Sequence, residues 1–66
     1  MEEIKQLAAL LDYMIKHNDE HAEEVKEYAD RAKTLGNEEA HADIAKGVAL
    51  LIQSNDMLKQ ARKRLG

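Results

Sequence analysis

Apolar residues return at intervals of three and four from Ile4 to Leu35 without a slip. With Ile4 set at heptad position a, the a positions read Ile4, Leu11, Asn18, Val25 and Ala32. The d positions read Leu7, Met14, His21, Tyr28 and Leu35. Only Asn18 and His21 break the apolar series, and neither Gly nor Pro interrupts it. Such a period is that of an amphipathic helix. Ala8, Leu10 and Ile15 widen the stripe beyond a strict coiled-coil seam, as a bundle helix requires. The pattern predicts one helix over about residues 2–35, about 50 Å long at ~1.5 Å per residue. A rival reading breaks this helix near Asn18. There Asn18-Asp19-Glu20 resembles an N-cap with a first-turn acid pair, which would give a three-helix bundle. A turn at that point has no reason to keep heptad phase across itself, so the unbroken helix is preferred.

Gly36 suits the left-handed residue that closes a helix, and Asn37 suits the N-cap of the next, with Glu38 and Glu39 in its first turn. So short a link folds the second helix, about residues 38–65, back antiparallel on the first. The predicted fold is all-α, a single helical-hairpin domain over residues 1–66.

The second helix has its own repeat. Ile44, Leu51, Leu58 and Leu65 recur every seventh residue, and Ala40, Gly47, Ser54 and Ala61 recur beside them. A glycine inside a helix costs ~1 kcal/mol relative to alanine, so Gly47 predicts a neighbour pressing on that spot. Val48-Ala49-Leu50-Leu51-Ile52 is apolar all round the helix, more than one partner helix covers. The expectation is a homodimer of hairpins, a four-helix bundle with two-fold symmetry.

Composition narrows the classes. The chain has 66 residues, no Cys, Trp, Phe or Pro, and two Tyr. A core so small rarely folds without a staple, and disulfides and thiolate metal sites are excluded. The absence of cysteine suits a reducing compartment, and the N-terminus lacks the basic and apolar regions of a signal peptide; a cytoplasmic location is expected. The longest apolar runs are five residues, against the ~20 that a membrane span needs. The net charge of −3 is unevenly placed, −7 over residues 1–45 and +4 over residues 46–66. That balance suits two segments lying together. It disfavours nucleic acid, which asks for a basic face, and the basic tail has no aromatic residues on which bases could stack.

Candidate chemistry is confined to His17-Asn18-Asp19-Glu20-His21. Histidines four apart share a helix face and could hold Ni, Zn or Co, with Glu20 or Glu24 adding a carboxylate. The alternative is structural, since polar residues at a and d often fix register and oligomeric state. On that reading Asn18 and His21 form a polar layer with Ser54 or Asn55, which a fold at Gly36 brings level with them. His41 reads as a boundary residue. Seam Glu-x-x-His pairs, an activated Ser or Cys nucleophile and a glycine-rich loop are all missing, so no catalytic activity is expected.

The stretch HNDEHAEEVKEYADRAKTLG, residues 17–36, resembles a small helical module of anaerobic bacteria and archaea that carries an HNxEHA signature. His17, Asn18, Glu20, His21 and Ala22 match it, and ALLIQSNDMLKQARKRL resembles the module's second helix. Such modules often carry Trp where Tyr13 or Met14 and Tyr28 stand here. The module occurs alone or attached to transition-metal transport proteins, and the resemblance thereby implies an association with a divalent metal. Two functions follow as expectations. One is an oligomerisation or protein-interaction module whose polar layer sets register; the other is a metal-binding module using His17 and His21.

Overall fold

The structure is a computed structural model and describes residues 2–66. Two helices, α1 (Glu2–Thr34) and α2 (Glu38–Arg64), lie against each other in a rod of 53 × 14 × 11 Å. Helix α1 passes through Asn18 and Asp19 unbroken, so the three-helix alternative is not adopted. Both helices end within one residue of their expected limits.

Local chemistry fixes the turn. Gly36 sits at φ +83°, in the left-handed region where a side chain would be strained. Its amide donates to the Lys33 carbonyl and the Asn37 amide donates to the Ala32 carbonyl, each at 3.0 Å. This pair of bonds is a Schellman closure, which satisfies carbonyls that the helix end leaves free. Asn37 then caps α2, its side-chain oxygen accepting from the Ala40 amide at 3.0 Å.

The seam between the helices corrects the heptad reading. It runs through Ala8, Leu11, Ile15, Asn18, Ala22, Val25, Ala29 and Ala32, which are buried or half-buried. These are the a positions from Leu11 onward together with the residues that follow d from Leu7 to Tyr28, while Ile4, the first a residue, is exposed. The d residues themselves, Leu7, Met14, His21, Tyr28 and Leu35, stay exposed. Alanines at 8, 22 and 29, all buried, allow α2 a close approach that Leu, Met and Tyr at d would prevent.

On α2 the facing stripe is His41, Ile44, Val48, Asn55, Leu58, Arg62 and Leu65, all at least half-buried. Leu51, expected in it, lies at its edge. Of the apolar segment 48–52, the hairpin buries Val48 alone, and Leu50 and Ile52 remain about half exposed. Gly47 is not pressed by α1, since a Cβ built on it meets nothing within 4 Å.

The uneven charge resolves into contacts along one side of the rod. Arg62 Nε donates to Asp12 Oδ1 at 2.8 Å, and Lys59 Nζ lies 3.8 Å from Asp19 Oδ2. Both pairs join an acidic residue of α1 to the basic end of α2.

Candidate functional site

The middle of the hairpin holds two polar groups at nearly the same level, one buried between the helices and one exposed on α1. The first is internal. Asn55 is the most buried side chain, at 2% exposure. Its Nδ2 donates to the Ile15 carbonyl at 3.0 Å and to Asp19 Oδ1 at 2.8 Å, and its Oδ1 accepts from Asn18 Nδ2 at 3.2 Å. A carboxamide has two N–H donors and one carbonyl, so both donors are used. Among the described residues no buried side-chain nitrogen or oxygen lacks a partner. A single residue on α2 thus grips three successive groups on α1, and any slide of one helix past the other would strand them.

The second group is external. The helical rise sets His17 and His21 one above the other on the exposed side of α1, with His17 stacked on Tyr13 at 5.9 Å between ring centroids. The two imidazoles stand edge to face, centroids 4.4 Å apart, and their Nε2 atoms approach to 2.9 Å. One of those nitrogens must carry a proton and the other must accept it. Protonating both would set two N–H groups head to head. His21 Nδ1, on the far side of its ring, lies 3.9 Å from Glu24 Oε2.

A right-angled pair of ligand bonds would match the Nε2 separation, whereas the tetrahedral arrangement usual for zinc would need the nitrogens farther apart. Metal–imidazole bonds of about 2.0–2.1 Å at a right angle place two nitrogens about 2.9 Å apart. Glu24 faces Nδ1 and not Nε2, so it would orient the His21 ring from behind instead of joining a ligand set. Glu20 borders a shallow hollow with Tyr13, Lys16 and His17. Among the described residues no cluster of three or more His, Cys, Asp or Glu is arranged to hold an ion. Of the four candidate residues, His17 and His21 meet through their Nε2 atoms, and Glu24 lies near the other nitrogen of His21.

His41 is a tie between the helices. Its Nδ1 lies 2.7 Å from the Ala29 carbonyl, which can only accept, so that nitrogen carries the proton. Together with Asn55 and Arg62, it fastens the hairpin near the turn, at the middle and near the open end.

Residues 7–65 match the family described as Domain of unknown function (DUF8180). The chain belongs to that family. No curated protein and no solved structure matches it. Within this DUF8180 chain, sequence reasoning found His17, His21 and Asn18 but missed the central role of Asn55. The signal was present: His41, Val48, Asn55 and Arg62 recur at sevens, beside the larger apolar stripe that drew attention first. No helix among the described residues is long and apolar enough to cross a membrane.

Proposed function

We propose that this domain is a helical self-association module, a hairpin that completes its core by pairing with a second copy. The observation that carries this reading is its uncovered apolar surface. Among the described residues Ala8, Ala22, Ala29 and Val48 form the buried apolar core, while Ile4, Leu7, Leu10, Met14, Tyr28, Leu50 and Met57 are between 43% and 64% exposed. The chain exposes 5431 Å², roughly 1,200 Å² more than the ~4,200 Å² of a compact monomer of its mass. A stable interface takes about 800 Å² from each partner, so the excess is of the size that one dimer contact removes. Thermal unfolding followed by circular dichroism over a hundredfold dilution tests this. The midpoint should fall on dilution, because association stabilises by mass action. A midpoint independent of concentration would contradict it.

A second reading is favoured by the 2.9 Å approach of His17 and His21 Nε2. On it, the pair takes a late first-row divalent ion such as Ni, Zn or Co, with Glu24 behind His21, in keeping with the association that the HNxEHA resemblance implies. A bound ion supplies Lewis acidity or is simply held as cargo. The residues themselves bring two imidazole Nε2 atoms within 2.9 Å of each other. Titration calorimetry with each metal should give binding that is lost in His17→Ala and in His21→Ala. Glu24→Gln should weaken it about tenfold, as loss of an outer-shell partner does. Equal affinity in wild type and His21→Ala would refute the site.

A further inference from the structure

The two long faces of the hairpin are built differently. On one face the Lys59–Asp19 pair, and a groove shared by Lys26, Ala45 and Ile52, show which sides of α1 and α2 lie together. Turning the other way from the seam on each helix reaches the opposite face. There α1 presents Leu7, Met14, His21, Tyr28 and Leu35, a ridge of large side chains. Beside it α2 presents Ala40, Gly47, Ser54 and Ala61, a valley of small ones. Nothing in the hairpin fills the valley at Gly47.

From this geometry we infer that the occupant of that face is a second copy of the chain, turned by a two-fold axis parallel to the helices. Each α1 ridge then lies in the partner's α2 valley. The inference rests on the self-association reading and specifies its interface. A helix pair related this way keeps the level relation found inside the hairpin, where Asn18 meets Asn55 and Asp12 meets Arg62. At those levels Tyr28 enters between the partner's Ala40 and the partner's Gly47, and Met14 enters between the partner's Ser54 and the partner's Ala61. His21 comes between the partner's Gly47 and the partner's Ser54.

Charge along the flank agrees. One position further out, α1 carries Glu3, Leu10, His17, Glu24 and Arg31, and α2 carries Asp43, Leu50, Met57 and Arg64. The arrangement sets Arg31 level with the partner's Asp43. At the same levels His17 lies beside the partner's Met57, and Leu10 beside the stem of the partner's Arg64. One pair of opposite charges thus forms at this flank, twice over by symmetry. Ile52, on the charged face, is left outside this contact. A helix-weakening glycine where the hairpin has empty space acquires a reason: a larger residue at 47 would hold the partner's ridge away.

Light scattering on the full chain tests the face directly. Wild type and Gly47→Ala should be dimeric, and Gly47→Leu should be monomeric at micromolar concentration with helical content retained, since a Cβ at residue 47 meets nothing within 4 Å in its own hairpin. A dimeric wild type with an equally dimeric Gly47→Leu would overturn this interface while leaving self-association standing; a monomeric wild type would overturn both. Charge reversal gives an independent reading should Gly47→Leu fail to fold. Arg31→Asp should raise the dimer dissociation constant about 3–10-fold, and adding Asp43→Arg should restore it. No restoration would remove the Arg31 and Asp43 pairing, and with it the proposed axis.

Discussion

Asn55 and His21 occupy nearly the same level of the rod and were both expected in one polar layer, yet they meet opposite fates. Asn55 is enclosed, with both donors and its acceptor used inside the hairpin. His21 stands at the surface, bonded only to its neighbour His17 and near Glu24. The difference lies in what faces them. Asn55 meets a helix stretch that offers a carbonyl, a carboxamide and a carboxylate within one turn. His21 points to a side where the chain provides nothing further. A polar residue buried with every bond made specifies alignment, whereas one left outside is free to meet a ligand or a partner.

Substitutions should separate the two. Asn55→Ala should be the most damaging, costing about 2–4 kcal/mol by urea melts, because it opens a cavity and strands Asn18 and Asp19. A cost under about 0.5 kcal/mol would mean that the central layer does not hold register. His41→Ala comes next, at about 1–2 kcal/mol, through loss of the bond to the Ala29 carbonyl and of packing near the turn. Hydrogen exchange should report it as faster exchange near the turn than at Asn55; uniform change along both helices would contradict a local tie. Lys59→Ala should cost no more than ~1 kcal/mol, as its pair with Asp19 is half exposed and screened by salt. A larger, salt-insensitive loss would show that this pair does more than line one side of the rod.

Much of the fold was legible because its signals are local. Gly36 and Asn37 announced the turn, and unbroken apolar spacing announced a helix running past Asn18. The seam was legible only in part. Heptad position a was right, but d and the residue after it compete whenever one is large and the other is alanine. Periodicity cannot say whether the larger residue faces its own hairpin or another chain. The candidate site shows the same limit. Spacing placed His17 and His21 together, but not the turn of their rings that brings Nε2 to Nε2 and leaves Glu24 behind. The fold at Gly36 placed Asn55 level with Asn18, but not its further bonds to the Ile15 carbonyl and Asp19, 40 and 36 residues away along the chain.

Sedimentation equilibrium of the unmodified chain across the micromolar range tests the central claim most directly. The account predicts twice the 7.5 kDa of the single chain, dissociating only on dilution. A constant mass of one chain throughout that range would contradict it.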